Sequence, residues 1–331
     1  MPKILLIQTA FLGDVVLATS LIEKIKFHFP DAQLDFLLRK GNESLLEKHP
    51  YLHQILIWDK KQKYRSIFKL ISKIRKEQYQ YVINLQRFLS SGIITVLSGA
   101  KYKVGFDKNP MSLFFTEKVP HIIGDGTHEI ERNNALLFSI TKSRKLFKPR
   151  LYPSETDYHA VQDLLKEPYL TIFPTSVWFT KQFPQEKWVE FLQKLSFQGN
   201  IYLMGSHHDY KFCEQICQQF PSSKIKILAG KLTLLQSAVV MKHALMNYVN
   251  DSAPLHIASA MNAPVTAIFC STVPSFGFTP LSDDSAVIET NEKLECRPCG
   301  LHGRQKCPKQ HFRCATTIDI ERLIERIKFL Q

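Results

Sequence analysis

Short apolar runs alternate along the chain with longer segments whose apolar residues recur every three or four positions. The runs have the length of buried strands, and the longer segments have the periodicity of helices that pack on one face. Strands that alternate with helices in this way predict parallel sheets covered by helices on both faces. In the first half the pattern predicts strands at residues 3–9, 33–38, 54–58, 81–85 and 101–105, and helices that include 14–29 and 128–139.

The same pattern restarts after residues 145–154, which contain two prolines, lack periodicity and are the best linker candidate. Two Rossmann-like domains are therefore predicted: an N-terminal domain, 1–150, and a C-terminal domain, 151–331, whose last helix is free to pack back on the first. Because such sheets bind ligands beyond the carboxyl ends of their strands, we expect a ligand in a central cleft. The predicted strands of the second half are 169–173, 200–204, 226–228, 246–249 and 265–269, and its predicted helices are 185–194, 207–220, 233–242, 254–261 and 317–330.

Composition narrows the class of protein. The chain has 331 residues, of which 44% are hydrophobic, as in globular proteins with buried cores. No apolar run has the length of a membrane span, and no charged leader precedes the first strand, so we expect a cytoplasmic protein. The formal net charge of +13 favours an anionic partner: nucleic acid, anionic lipid or a phosphorylated substrate.

Much of the positive charge lies between residues 59 and 79, where cationic and apolar residues alternate with helical spacing. A basic amphipathic helix is typical of proteins that bind a membrane surface. The alternative is a helix packed on the protein, with its lysine face in solvent. The cationic residues are Lys60, Lys61, Lys63, Arg65, Lys69, Lys73, Arg75 and Lys76.

Residues 250–258, Asn-Asp-Ser-Ala-Pro-Leu-His-Ile-Ala, follow a predicted buried strand and begin a predicted helix. Asp251 and Ser252 stand where a helix N-cap is expected and Pro254 stands just inside, which is how helices begin. The first backbone N–H groups of a helix lack partners within it and attract phosphate. Because His256 lies one turn in, it can reach the same point. The segment predicts a site for a phosphorylated or nucleotide-linked ligand.

A second candidate follows the first strand, where Gly13 makes a close turn and Asp14 opens a helix. The dinucleotide fingerprint G-x-G-x-x-G is absent here, which argues against NAD or FAD. A carboxylate facing the cleft can act as general base toward a hydroxyl. The alternative is that Asp14 only caps the helix.

A third candidate follows the first strand of the second half. Thr175, Ser176, Thr180 and Lys181 can donate hydrogen bonds to phosphate oxygens, and the lysine adds a mobile positive charge. The Walker A pattern is missing. The alternative is a surface loop with a solvated lysine.

A fourth candidate, residues 204–209, contains His207, His208 and Asp209 after another strand. Asp209 can meet a ribose there. The two histidines suggest a metal ligand pair, but no third ligand is near in sequence. Solvated loop histidines are therefore the simpler interpretation.

The seven cysteines fall into two groups. Three of them, Cys213, Cys217 and Cys270, lie in predicted elements and are expected to be inert core residues. The other four lie in a loop rich in proline, glycine and basic residues, with spacings of two, seven and six residues. Four thiolates suit a structural zinc ion, although the seven-residue gap is shorter than in common zinc ribbons, and free thiols are the alternative. These four are Cys296, Cys299, Cys307 and Cys314.

Taken together, these segments resemble glycosyltransferase family 9, the ADP-heptose:lipopolysaccharide heptosyltransferases. The likeness covers nearly the whole chain, in order. Ala253 and Cys270 stand where the family usually has glycine. The matching segments are 11–16 (Phe-Leu-Gly-Asp-Val-Val), 180–184 (Thr-Lys-Gln-Phe-Pro) with Glu186 and Trp188, 250–258, Phe269 with Thr272 and Pro274, and the four-cysteine loop.

The resemblance implies an α/β protein of the GT-B fold, with two Rossmann-like domains and a central cleft. It implies an inverting, metal-independent transfer of heptose from ADP-heptose to an anionic glycolipid, the lipopolysaccharide inner core, at the inner membrane surface. Asp14 would be the base and Lys181 would stabilise the diphosphate. By the same matching, Ser176 and His256 would lie near phosphate, Asp209 near ribose and Asp251 near the donor sugar. The donor-binding set is Gly13, Thr175, Ser176, Thr180, Lys181, Asp209, Asp251, Ser252 and His256.

The chemistry of sugar transfer fits the same residues. Breaking a sugar–diphosphate bond develops negative charge on the leaving group, which some enzymes neutralise with a metal held by an Asp-x-Asp pair. This sequence lacks that pair, so no cofactor is expected for catalysis. Another nucleotide-sugar donor, or an epimerase of the same fold, remains an alternative. A nucleic-acid-binding protein with a zinc module would explain the charge and the cysteines but not the cleft motifs, so no nucleic acid partner is expected.

Overall fold

The computed structural model describes residues 1–327, apart from the side chains of residues 62–65. It divides into two compact units, Met1–Tyr152 and Pro153–Gln331. The division falls within the proline-containing segment 145–154, two residues after the predicted boundary. Across residues 1–327 no helix combines the length and the apolar character that a membrane span requires.

The first unit is built on a six-stranded parallel sheet with the strand order β3-β2-β1-β4-β5-β6. Its core is formed by the apolar strands and by the helices that cover them. The elements in chain order are β1 (Lys3–Ile7), α1 (Leu12–His28), β2 (Gln33–Arg39), β3 (Gln54–Trp58), α2 (Lys63–Glu77), β4 (Tyr81–Asn84), α3 (Leu89–Leu97), β5 (Tyr102–Phe106), β6 (Glu117–Val119), α4 (Glu129–Ala135) and α5 (Phe138–Thr141).

The second unit has a parallel sheet of the same size, with the strand order β12-β11-β10-β7-β8-β9. The closing segment packs within this unit, where Leu323 and Ile324 join its core. The elements are α6 (Glu155–Val161), β7 (Tyr169–Phe173), α7 (Gln185–Lys194), β8 (Asn200–Leu203), α8 (Tyr210–Gln219), β9 (Ile225–Ile227), α9 (Leu234–His243), β10 (Met246–Asn250), α10 (Ala253–Met261), β11 (Val265–Phe269), β12 (Ser285–Glu289), α11 (Arg313–Thr316) and α12 (Glu321–Glu325).

Both sheets reverse their strand order at an equivalent place. In the first unit β1 lies beside β4, and in the second β7 lies beside β10. Loops that leave the carboxyl ends of such a strand pair diverge and open a crevice that binds ligands. Three of the predicted motifs follow β1, β7 and β10, so the topology places them at the two switch points.

The predicted parallel α/β architecture is confirmed, and several element bounds need correction. The helix predicted at 128–139 is two helices, α4 and α5, because amides 136 and 137 bond three residues back and tighten the chain there. The helix predicted at 207–220 begins as a 3₁₀ turn, so α8 starts at Tyr210. The helix predicted at 317–330 is only the short α12, since α11 ends at Thr316 before the predicted start, and residues 328–330 lie outside the described chain.

Helix α2 carries the basic amphipathic pattern. Its apolar residues Ile67, Leu70, Ile71 and Ile74 are buried in the core of the first unit. The apolar face is therefore unavailable for insertion into a membrane, and any surface contact would involve the exposed face. That face carries Phe68, Lys69, Lys73, Arg75 and Lys76, while the side chains of Lys63 and Arg65 are outside the described part of the chain.

Helix α4 packs against α1 and buries an ion pair there. Arg132 Nε donates a hydrogen bond of 2.8 Å to Glu129 Oε2, and both side chains are more than nine-tenths buried. Burial raises the pKa of Glu129 to about 7, because the opposing effect of the Arg132 guanidinium does not cancel the desolvation of the carboxylate. The negative charge of Asp14 contributes to this rise.

Replacing Glu129 with glutamine is expected to remove a pH dependence from the stability of the protein. A carboxyl with a folded pKa of about 7 and an ordinary value of 4.5 binds its proton more tightly when folded. Its stabilising contribution is therefore complete below pH 4.5 and is lost as the pH rises through 7. Relative to Glu129→Gln, the parent chain should lose about 3 kcal/mol of unfolding free energy between pH 4.5 and 8.

Urea unfolding at a series of pH values measures this difference. The exposed Glu47→Gln is the control, because the carboxylate of Glu47 is in solvent. An unfolding free energy difference between parent and Glu129→Gln that stays constant across the pH range would contradict the prediction.

Candidate active site

Asn250, the last residue of β10, holds together the loop that follows β7. Its side chain is fully buried, and Nδ2 donates hydrogen bonds of 3.1 Å to the carbonyls of Phe173 and Thr175. Oδ1 accepts a bond of 2.8 Å from the amide of Phe183. Two diverging loops are thereby tied across the switch point. The first residue of the 250–258 motif is a structural anchor.

An ion pair lies at the carboxyl ends of these strands. Lys181 Nζ is 2.7 Å from Asp251 Oδ2, and both side chains are largely buried. The Thr272 hydroxyl, which follows β11, donates to the same carboxylate oxygen at 2.6 Å. The lysine after β7 and the aspartate after β10, predicted separately, therefore lie together. In the sequence, the only pointer to Thr272 is the Thr-x-Pro that follows Phe269 in the family resemblance.

Thr180 precedes the lysine and is buried rather than open to a ligand. Its Oγ1 accepts a hydrogen bond of 2.8 Å from the amide of Arg304 and lies 3.0 Å from Ser271 Oγ. Its amide donates to the carbonyl of Arg304 at 3.0 Å. The side chain of this predicted donor-binding residue thus holds the loop. Thr175 and Ser176 are half-buried in the same loop, where the Ser176 amide donates to Gln182 Oε1 at 3.4 Å.

Helix α10 begins at the switch point, as predicted, but its cap differs. Ser252 is the N-cap residue, yet its hydroxyl makes no bond to the helix amides and lies 3.4 Å from the carbonyl of Asn250. Asp251 does not cap either, because Lys181 and Thr272 engage its carboxylate. His256 lies on the first turn and is 5% exposed, with its ring edge-on to Phe278.

Asp209 closes a turn after β8. Its Oδ2 accepts hydrogen bonds from Ser206, 2.6 Å from the amide and 2.7 Å from Oγ. The carboxylate packs so close to Gly205 that a Cβ there would lie 2.8 Å from it. His207 and His208 are exposed. A ribose that binds Asp209, as predicted, would therefore have to share its carboxylate with the amide and hydroxyl of Ser206.

In the first unit, Asp14 lies on the first turn of α1, at the switch point after β1, and Gly13 beside it is buried. The charges of Asp14, Arg87 and Arg132 act electrostatically on the carboxylate of Glu129. The grouping of these charges with Asp14 is not evident from the sequence. The one local signal is a pair of opposite charges, three residues apart, in the predicted helix at 128–139.

The four clustered cysteines line one cavity of about 230 Å³, together with His311. Burial raises the pKa of the Cys314 thiol to about 12. Cys296 Sγ lies 3.8 Å from His311 Nε2. Within residues 1–327 no three cysteine, histidine, aspartate or glutamate side chains converge closely enough to hold an ion, so the thiols surround the cavity without meeting at a point.

The chain matches known proteins along most of its length. Residues 67–309 match the family described as "Glycosyltransferase family 9 (heptosyltransferase)". Lipopolysaccharide heptosyltransferase 3 of Escherichia coli is 27% identical over 281 residues, which cover 79% of this chain and 82% of that protein.

Two solved structures show the fold. E. coli ADP-heptose LPS heptosyltransferase II has a TM-score of 0.81 at 20% identity, covering 99% of this chain and 98% of that one. The dodecameric iron-containing heptosyltransferase TibC, solved with ADP-D-β-D-heptose, has a TM-score of 0.60 at 14% identity and covers 99% and 76%. The likeness confirms the expected GT-B class, with a Rossmann-like sheet in each unit. The family match runs from residue 67 to residue 309 and includes Lys181 and the 250–258 segment. The protein therefore belongs to glycosyltransferase family 9, the heptosyltransferase family.

Proposed function

We propose that the protein transfers heptose, with inversion, from ADP-heptose to the lipopolysaccharide inner core. The observation that carries this proposal is the buried Lys181–Asp251–Thr272 cluster at the carboxyl ends of three adjacent strands. A lysine fixed at a switch point beside a helix N-terminus suits the diphosphate of a nucleotide sugar. ADP-heptose is favoured as donor because one similar structure is an ADP-heptose heptosyltransferase and the other is a complex with ADP-D-β-D-heptose.

The second unit would stabilise the departing diphosphate. Negative charge develops on that group as the bond to the sugar breaks, and preorganised cationic groups lower the barrier. Lys181 supplies the charge, and Asp251 holds its ammonium in place before the donor binds. The N-terminus of α10 adds a positive dipole end, with His256 on its first turn. In this proposal the chemical step needs no metal ion.

The first unit would supply the base. The carboxylate of Asp14, at the start of α1, would accept the proton of the acceptor hydroxyl as that oxygen attacks the sugar. Glu129, whose pKa burial raises to about 7, lies within electrostatic range of Asp14. Arg87 and Arg132 offset the repulsion between the two carboxylates.

An anionic glycolipid acceptor at the inner face of the cytoplasmic membrane fits the charge of the protein. The net charge is +13, and α2 exposes four cationic side chains beside Phe68. Because the apolar face of α2 is buried in its own unit, this contact would be electrostatic and peripheral. Nucleic acid is not part of the proposal.

The test is to incubate the purified protein with ADP-heptose and a heptose-deficient lipopolysaccharide acceptor, without added divalent metal. We expect the acceptor to gain one heptose by mass spectrometry, with little transfer from GDP- or UDP-sugars. Incubation with donor alone separates transfer from epimerisation, because an epimerase would convert the sugar without acceptor. Conversion of the donor alone, or transfer of another sugar only, would replace the proposal with one of its alternatives.

Asp14→Asn is expected to lower kcat by about 10²–10⁴-fold, because the amide cannot accept the proton of the acceptor. ADP affinity, measured by calorimetry, should stay within a factor of two because the donor binds in the second unit. Substantial residual turnover by Asp14→Asn would remove the aspartate from the role of base.

Lys181→Met is expected to lower kcat by about 10²–10³-fold and to weaken ADP binding, because the leaving diphosphate loses its cation. Lys181→Arg should recover part of the activity, since it restores the charge with a different shape. Lys187→Met, which removes a partly exposed lysine of α7, is the matched control. Equal kinetics for the two methionine variants would contradict the role of Lys181.

We also propose that the four-cysteine loop holds one structural metal ion. The residues fit such an ion chemically, because soft thiolates select zinc or iron and all four thiols line one cavity. Iron is tested beside zinc because TibC is an iron-containing heptosyltransferase. The ion would crosslink the loop and take no part in the transfer.

Elemental analysis of protein purified without chelator is expected to find about one zinc or iron ion per chain, as a single four-thiolate site requires. Cys307→Ser should reduce this content, because it removes one ligand. Cys217→Ser, on α8, is the control and should leave the metal content unchanged. Metal-free protein whose four clustered thiols all react freely would contradict this proposal.

A further inference from the structure

The segment from Cys296 to Cys314, here called the cysteine segment, is anchored to the strand ends that carry the diphosphate site. The Arg297 guanidinium donates hydrogen bonds to the carbonyls of Phe269, Cys270 and Thr272, at 3.2, 2.8 and 2.7 Å. The amide of Cys299 donates to the carbonyl of Ser271 at 2.8 Å. Its first part is thus bound to the chain that presents Thr272 to Asp251.

The middle of the cysteine segment touches the lysine loop itself. Arg304 and Thr180 exchange two hydrogen bonds, from the Arg304 amide to Thr180 Oγ1 at 2.8 Å and from the Thr180 amide to the Arg304 carbonyl at 3.0 Å. Gly303 lies so close that a Cβ there would be 2.9 Å from Lys181 Cγ. The backbone at Gly303 therefore forms a wall against the aliphatic stem of the lysine.

These two sets of contacts bracket the ion pair. One fixes the carbonyls around Thr272, the partner of Asp251, and the other limits where the stem of Lys181 can lie. Moving the cysteine segment would displace both partners. Thr180 and Ser271, which are among the residues that line the thiol cavity, are hydrogen-bonded to each other at 3.0 Å.

The thiols flank the contact with Lys181. Cys299 precedes Gly303 by four residues and Cys307 follows Arg304 by three, so the contact lies at the tip of the loop between the second and third thiols. Residues 291–312 contain neither helix nor strand, and fixing irregular backbone costs conformational entropy. A crosslink through the flanking thiols would fix the tip at both ends.

We propose that the cysteine segment positions Lys181 and Asp251 for the diphosphate, and that one thiolate-bound metal ion, held by Cys296, Cys299, Cys307 and Cys314, fixes the segment in that position. The inference rests on the proposed function, since it takes the Lys181 site as the diphosphate site. It requires the four thiols to close on their shared cavity when the ion binds.

A pair of glycine substitutions tests the contact. Gly303 and Gly300 have nearly the same backbone angle, with φ of +78° and +76°, so alanine strains both equally. An alanine Cβ would meet Lys181 and Thr180 at position 303, whereas it would meet nothing within 4 Å at position 300. We expect Gly303→Ala to weaken ADP binding about tenfold and lower kcat, and Gly300→Ala to do neither.

A double-mutant cycle separates positioning from loss of fold. If Gly303→Ala acts by displacing Lys181, its effect on ADP affinity should largely disappear in the Lys181→Met background, because coupled sites are not additive. Thr180→Val, which keeps the side-chain shape and loses the hydrogen bonds to Arg304 and Ser271, should weaken ADP binding in the same direction. Melting temperatures of all variants are measured alongside. Equal ADP affinity for Gly303→Ala and Gly300→Ala would overturn the positioning role.

The role of the metal is tested by ADP calorimetry on chelated protein and on the same protein reloaded with zinc or iron. We expect removal of the metal to weaken ADP binding and to leave little further effect for Gly303→Ala, with Cys307→Ser behaving like the chelated protein. Unchanged ADP affinity after metal removal would overturn the role of the metal ion. The positioning role of the cysteine segment would then be decided by the glycine variants. If the parent protein binds neither ADP nor inorganic pyrophosphate, the proposed function fails, and that outcome differs from every result expected here.

Discussion

The carboxamide of Asn250 is the interaction on which the arrangement of the second unit depends. At a switch point the two central strands send their loops in opposite directions, and nothing in the sheet itself holds those loops together. The buried side chain at the end of β10 donates two hydrogen bonds to the loop after β7 and accepts one from it. Lys181, which follows β7, can therefore pair with Asp251, which follows the neighbouring β10. The chemistry proposed for this unit depends on that ion pair.

A largely buried ion pair is a weak source of stability, because desolvating two charges offsets most of their attraction. In the proposed function, Asp251 instead holds the Lys181 ammonium in position for an anionic diphosphate. Thr272 shares the carboxylate, so the aspartate keeps a hydrogen-bond donor when the lysine turns toward a ligand. The surrounding backbone, from the strand ends to Gly303, limits the freedom of the lysine and so its entropy loss on binding.

The edge of the sheet at which the site lies could be predicted from the sequence. Because parallel strands align their carboxyl ends, the motifs after β7 and β10 were expected at one edge, and the observed strand order makes Lys181 and Asp251 neighbours. Ser252 occupies the expected N-cap position of α10, but Asp251 does not cap, because local rules do not include a competing lysine 70 residues away. Glu129 beside Asp14, and Gly303 beside Lys181, depend on contacts between segments more than 100 residues apart, which no local periodicity encodes.

The separation of the two faces of α2 has a consequence for how such a protein can diversify. Ile67, Leu70, Ile71 and Ile74 maintain the core, while the lysines on the opposite side are exposed to solvent. If the exposed side meets the proposed glycolipid acceptor, substitutions there change that attraction while the buried face maintains the core. Surface charge and integrity of the scaffold can then vary independently within a single helix.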